Sequence, residues 1–183
     1  MRTVAFVAPF PLETSLRFAR AAAALPGVRL VGLMQEPPRG PDLGLFAEVI
    51  RLKDGLDARQ ITEGAAYARA KYGGLHRILG ILEPLQVQLA EARRALGVPG
   101  TRPETAALFR DKAEMKDELR RHGLPCARHR RVATAEDAAA FARDVGLPIV
   151  LKPTAGMACK STWRVRAAPR PRPSWTRRMH ARA

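Results

Sequence analysis

The sequence has few aromatic residues, only two cysteines and no long hydrophobic run. Aromatic residues make up 5% of the 183 residues, which argues against a surface that stacks nucleic-acid bases. Cys126 and Cys159 lie too far apart for a metal-binding motif and are too few for a disulfide framework. No apolar run approaches the roughly 18–20 residues that span a membrane, and the N-terminus does not read as a signal peptide. We therefore predict a cytoplasmic protein that does not act at a membrane.

Acidic residues are also scarce. The sequence has 17 Asp and Glu residues and 32 Lys and Arg residues, which gives a formal net charge of +15. Five of the basic residues fall in 167–183, which has no acidic residue, so residues 1–166 still carry +10. This excess favours an anionic partner, such as a nucleotide, an acidic metabolite or a nucleic acid. Residues 167–183 are rich in proline as well, and we predict that they form a disordered basic tail.

Apolar runs alternate with helical patterns over the first hundred residues. Three continuous apolar runs are typical of buried parallel strands: VAFVA (4–8), VRLVGLM (28–34) and HRILGIL (76–82). Three segments have apolar residues at helical spacing: 16–23, 61–72 and 85–96. This alternation predicts βαβ units and an α/β fold with a Rossmann-like open parallel sheet over residues 1–100.

A Pro/Gly-rich break, GVPGTRP (97–103), leads into a different pattern. Helical stretches are predicted over 104–122, and CARHRRV (126–132) has the composition of a strand. Thr134 and Asp137 are spaced as in a capping box, which predicts that a further helix begins there. We place a second domain over the residues that follow the break.

A β-hairpin is predicted at the end of this second domain. PIVL (148–151) is a predicted strand that ends at Lys152, and TWRV (162–165) is the returning strand. The turn between them, TAGMACKS (154–161), has the length of a P-loop but lacks both glycines and leads into a strand. A hairpin of this kind can place backbone N–H groups over phosphates while the lysine neutralises their charge. An ordinary hairpin with an exposed lysine has the same pattern.

A second lysine is predicted to lie within an apolar stripe of a helix. The stripe consists of Leu108, Lys112, Met115 and Leu119. Lysine rarely occupies such a position without a partner, although its aliphatic stem can extend to the edge of the stripe. The alternative is that Lys112 points towards an anion. Lys112 and Lys152 together could then bind one polyphosphate from two sides.

Residues 111–165 resemble the start of an ATP-grasp domain. The elements occur in the order of that family: Asp-Lys opening a helix, Gly-Leu-Pro, a short strand, a helix, then Gly-x-Pro, an apolar strand and Lys-Pro before a loop of small residues. Residues 1–100 look like the α/β domain that precedes ATP-grasp domains in carboxylate–amine ligases. The resemblance implies a pre-ATP-grasp domain over 1–100 and a partial α+β ATP-grasp subdomain over 101–166.

The resemblance also implies a binding site for ATP. Lys112 would contact the α-phosphate, Lys152 would contact the α- and β-phosphates, and a flexible loop would close over the β- and γ-phosphates. The implied loop residues are Gly156, Met157, Ala158, Cys159, Lys160 and Ser161. The loop of the family is often G-A-G-S-x-G, and only its first glycine is present here. Larger residues at the other glycine positions restrict the backbone.

The resemblance further implies that Mg²⁺ is required. It also implies a reaction that joins a small carboxylate to an amine through an acyl-phosphate. The adenine-binding, metal-binding and catalytic residues of the family lie in a part that we cannot locate after Val165, so no catalytic or metal-binding residue is assigned. We predict that the chain is the ATP-binding front part of such a ligase, apparently truncated. As an isolated chain it is predicted to be inactive or to bind ATP weakly, and whether it is an enzyme stays open.

Two other interpretations remain. The chain can be a non-catalytic subunit completed by a partner chain, or a homo-oligomer. It can also be a basic nucleic-acid-binding protein, whose binding would depend steeply on salt. That interpretation depends on a set of cationic side chains that we call the basic cluster: Arg120, Arg121, His122, Arg128, His129, Arg130 and Arg131. The same set can form an ordinary solvated face.

Overall fold

The structure is a computed structural model that describes residues 1–156 and 161–166. The predicted tail at 167–183 lies outside the described residues, as do four residues of the predicted loop: Met157, Ala158, Cys159 and Lys160. The chain divides into two compact units, Met1–Arg110 and Asp111–Ala183. The domain limits expected from the sequence, 1–100 and 101–166, remain predictions.

The first unit is built on a four-stranded parallel sheet with the order β3-β2-β1-β4. Its strands are β1 (Arg2–Val7), β2 (Val28–Met34), β3 (Glu48–Arg51) and β4 (Arg77–Leu79). β1 lies in the middle, and it pairs with β2 from Arg2 opposite Val28 to Val7 opposite Leu33. This arrangement confirms the predicted α/β fold with an open parallel sheet.

Helices cover both faces of this sheet, which is why the inner strand β1 has a continuous apolar run from Val4 to Val7. The helices of the first unit are α1 (Glu13–Ala23), α2 (Ala58–Lys71), α3 (Gln86–Ala95) and α4 (Pro103–Arg110). Alternate residues of β1 enter two separate core clusters. Val4 and Phe6 pack with Ala19 of α1, whereas Ala5 and Val7 pack in the cluster that includes α2 and α3.

The described residues of the second unit form two helices and a hairpin. They are α5 (Lys112–Arg121), α6 (Ala135–Val145), β5 (Ile149–Leu151) and β6 (Trp163–Val165). The two strands are antiparallel, with Ile149 opposite Val165, so the predicted hairpin is confirmed. The capping box at the start of α6 is also confirmed, because the Asp137 carboxylate accepts the Thr134 N–H at 3.0 Å and the Thr134 hydroxyl accepts the Asp137 N–H at 3.1 Å.

Two sequence-based predictions about this unit are wrong. Leu108 and Lys112 do not share one helical stripe, because α4 ends at Arg110 and Asp111 has an extended backbone, with φ −94° and ψ 113°. The predicted strand at 126–132 has no regular secondary structure. Its composition suits a strand, but no described strand pairs with it, and a strand needs a hydrogen-bonded neighbour to form.

Candidate functional site

The start of α5 is fixed by the side chain of Asp111. Its Oδ1 atom accepts the backbone N–H groups of Ala113 at 2.8 Å and Glu114 at 3.1 Å, which satisfies two of the unpaired donors of the first turn. Burial alone would raise the pKa of this carboxyl, but these N–H groups and the Arg131 guanidinium lower it. Asp111 therefore stays ionised and holds the helix end in place.

Lys112 is the first residue of α5, and both its backbone and its side chain contact the hairpin turn. Its backbone N–H donates to the carbonyl of Thr154 at 3.0 Å. Its side-chain amine donates to the carbonyl of Gly156 at 3.2 Å, and the contact is partly buried. The interpretation of Lys112 as a residue of an apolar stripe is therefore replaced by a position at a capped helix start, next to the first residue of the predicted loop.

The other described site residues lie at the turn end of the hairpin. Lys152 follows the last residue of β5, and its side chain is exposed. Ser161 precedes β6 and has φ 57°, a left-handed conformation that glycine adopts with far less strain. Residues 157–160, which complete the predicted loop, lie outside the described residues. A strand follows the turn, as expected for a hairpin and not for a P-loop.

The sequence carries a signal for this helix start. Asp111 is followed three residues later by Glu114, which is the spacing of an N-cap and a first-turn acid. That spacing would have placed the helix start at Lys112 and excluded the stripe. The carbonyls of Thr154 and Gly156 could not be predicted as the acceptors of Lys112, because every residue has a backbone carbonyl.

The basic cluster is neutralised by its own surroundings. Six of its seven side chains contact carboxylates: Arg120 and His129 contact Asp117, Arg121 and His122 contact Glu118, Arg130 contacts Asp144, and Arg131 contacts Asp111 and Glu114. The seventh, Arg128, donates to the Val145 carbonyl at 3.4 Å. Cations that are already paired have less to gain from phosphate, so this face is a weaker candidate for nucleic acid than its composition indicates.

Residues 1–156 and 161–166 offer neither a candidate metal site nor a candidate membrane span. No group of three or more His, Cys, Asp and Glu side chains in these ranges is arranged to hold a metal ion. No helix in the same ranges has the length and apolar character needed to cross a membrane.

Comparison with known sequences relates the chain to ligases. It is 36% identical over 99 residues to the phosphoribosylamine–glycine ligase of Pasteurella multocida, a match that covers 53% of this chain and 23% of that protein. It is also 36% identical over 66 residues to the alanine–anticapsin ligase of Bacillus subtilis, covering 36% of this chain and 14% of that one. No family model matches the sequence.

Solved structures of ligases share the fold over 91% of the chain. The L-amino acid ligase of Bacillus licheniformis has a TM-score of 0.65 at 18% identity, and this chain covers 39% of it. The N5-carboxyaminoimidazole ribonucleotide synthetase of Thermotoga maritima has a TM-score of 0.64 at 21% identity, with 42% of that chain covered. The chain is therefore similar to ATP-grasp ligases. The predicted resemblance is thereby confirmed.

The chain spans only part of the length of these relatives. It covers about a quarter or less of the curated ligases above and about two fifths of the solved structures. A further solved relative, the N5-carboxyaminoimidazole synthetase of Staphylococcus aureus, was crystallised with ADP; its TM-score is 0.60 at 18% identity, over 85% of this chain and 39% of that one. The activity, substrates and partners of this chain are therefore matters for a proposal.

Proposed function

We propose that the second unit binds the phosphates of ATP as the front part of an ATP-grasp ligase. Lys112 and Lys152 would neutralise phosphate charge, and the turn from Gly156 to Ser161, including Met157, Ala158, Cys159 and Lys160, would cover the phosphates. ATP, when bound, would supply the phosphoryl group that activates a carboxylate for attack by an amine. The identity of the carboxylate and of the amine is not assigned.

The observation that carries this proposal is the contact between Lys112 and the hairpin turn. The amine of Lys112 lies 3.2 Å from the Gly156 carbonyl, although the two residues are 44 positions apart in the chain. A lysine held against the first residue of a loop is positioned to contact an anion that the loop covers. The left-handed backbone of Ser161 supports the same assignment, because the family has a glycine there and glycine favours that conformation.

The chemistry that these residues can supply is limited to binding and charge neutralisation. Each lysine ammonium offers donors to phosphate oxygens as a compact positive charge, and exposed N–H groups of a turn can add further donors. The described residues do not fit Mg²⁺, since no set of three candidate ligands occurs among residues 1–156 and 161–166. We therefore propose that the isolated 183-residue chain binds ATP weakly and does not carry out ligation.

The test is isothermal titration of ATP into the purified chain, with and without Mg²⁺. We expect weak binding that is lost in Lys152→Ala and retained in the control Lys53→Ala, which removes an exposed lysine from the first unit. Equal binding by the two variants would contradict the proposal, and so would ligase turnover by the isolated chain. A homo-oligomer, a complementing chain and a cytoplasmic location remain predictions.

A further inference from the structure

β3 (Glu48–Arg51) is an edge strand of the sheet in the first unit. It pairs with β2 on one side, and no other strand in the described part of the chain pairs with its outer side. An edge strand presents a row of N–H and C=O groups that have no partner within the sheet. An extended segment of another protein can pair with such a row and add a strand to the sheet.

A groove of about 430 Å³ lies beside this edge, between β3 and α2. Ile50 of β3 and Tyr67 of α2 give it apolar surface, and Tyr67 is 50% exposed. Tyrosine is one of the residues that most often dominate the binding energy of protein interfaces. The groove therefore offers space and an aromatic contact for the side chains of a segment that pairs with β3.

Four charged side chains line the groove, and two of them neutralise each other. The Arg59 guanidinium donates to the Glu63 carboxylate at 2.7 Å. The side chains of the other two, Arg51 and Lys53, form no hydrogen bond or ion pair with any residue among 1–156 and 161–166. Two positive charges are thus left without compensation, which favours an acidic partner.

The order of residues at the end of β3 adds a pattern to this charge. The sequence IRLK (50–53) alternates apolar and basic residues, and successive side chains of an extended strand point to opposite faces of the sheet. Ile50 and Leu52 pack with the cluster that includes α2 and α3. Residues opposite each other on paired strands share a face. An added strand would therefore place apolar residues next to Ile50 and Leu52, and acidic residues next to Arg51 and Lys53.

We infer that β3 and this groove bind an extended segment of another protein, in which acidic and apolar residues alternate, as an added strand of the sheet. A second copy of this chain fits less well, because each copy carries a net charge of +15 and the two would repel each other. This inference concerns the first unit alone and does not depend on the proposed ATP site.

Titration of the full 183-residue chain with a synthetic peptide, monitored by protein NMR, tests the inference. The probe is acetylated and amidated Glu-Val-Glu-Val-Glu. We expect saturable binding at millimolar concentration and slower hydrogen exchange of the backbone amides of β3. Two control peptides should bind clearly more weakly. One has lysine in place of glutamate, and the other has every backbone amide N-methylated, so that it cannot pair with a strand.

Three variants assign the binding to the groove. Arg51→Glu and Lys53→Glu should each weaken binding by roughly fivefold, since each replaces an attraction with a repulsion at an exposed position. Arg102→Glu is the matched control, because Arg102 is an exposed arginine of the same unit that does not line the groove. The inference is overturned if the peptide does not saturate, if either control peptide or single-stranded DNA binds as well, or if all three variants bind alike.

Discussion

The side-chain amine of Lys112 donates a hydrogen bond to the carbonyl oxygen of Gly156, 44 residues away and 3.2 Å distant. This bond joins the first turn of α5 to the first residue of the predicted phosphate loop. The backbone N–H of Lys112 makes a parallel connection to Thr154. The position of the lysine thus depends on where α5 begins, and that depends on the cap supplied by Asp111.

Removing this cap should destabilise the second unit. Asp111→Ala leaves the N–H groups of Ala113 and Glu114 without their acceptor, and loss of an N-cap costs about 1 kcal/mol. Asp111→Asn is the control, because asparagine caps helices about as well as aspartate. Urea denaturation followed by circular dichroism measures the free energy of unfolding of both variants. An equal loss of stability in the two variants would show that the charge of Asp111 matters and that its capping does not.

Most elements of both units were predictable because apolar periodicity is a strong signal. β2 was expected at 28–34 and is observed at Val28–Met34, since an inner strand of a covered parallel sheet is mostly apolar. β3 was missed. It lies at the edge of the sheet and, among the described strands, pairs only with β2. Only its two central residues, Val49 and Ile50, are apolar.

The candidate site was harder to predict, because it depends on where a helix begins and on tertiary contacts. Regular apolar spacing from Leu108 to Leu119 favoured one continuous helix, yet the Asp111 side chain ends that pattern by capping α5. The two lysines were recognisable from the pattern of the elements around them, and the family resemblance implied their roles. Their positions relative to the hairpin come from the structure, since the acceptor of Lys112 is a carbonyl that any residue could supply.

Ser161→Gly should stabilise the hairpin. Serine at φ 57° carries a steric cost of roughly 1–2 kcal/mol that glycine lacks, and part of this gain is offset because glycine has more freedom in the unfolded chain. We expect a net gain of up to about 1 kcal/mol in the free energy of unfolding. Ser161→Ala is the control that keeps the Cβ atom, and it should show no gain. A gain of similar size in both variants would contradict the argument.

Gly55→Ala should destabilise the first unit. A Cβ atom at Gly55 would lie 2.6 Å from the Pro9 Cβ and 2.8 Å from its Cα, so the segment after β3 would have to move away from the segment after β1. Overpacking of this kind costs about 1–3 kcal/mol. Gly44→Ala is the matched control, because a Cβ atom there meets nothing within 4 Å. In thermal unfolding, Gly55→Ala should melt at a lower temperature than Gly44→Ala. Equal melting temperatures of the two variants would contradict the close approach of Gly55 to Pro9.

Acid should weaken the start of α6 through Asp137. The N–H groups of Ala133 and Thr134 donate to its carboxylate and lower its pKa below the usual value of 3.8. A lowered pKa in the folded state gives stability that is complete above the unfolded pKa and lost as pH falls through the folded one. The stability advantage over Asp137→Asn should therefore be constant near neutral pH and shrink below about pH 4. An advantage that grows on acidification would contradict this.

Lys112→Gln should weaken ATP binding, if the proposed site is correct. Glutamine keeps the helix propensity and the backbone bond to Thr154 but removes the charge that would contact phosphate. We expect roughly a tenfold loss of affinity or more in titration calorimetry. Lys116→Gln is the matched control, because it removes a lysine from the same helix whose amine donates to the Ala127 carbonyl at 3.4 Å. Equal affinity in the two variants would mean that general positive charge, and not the position of Lys112, attracts the nucleotide.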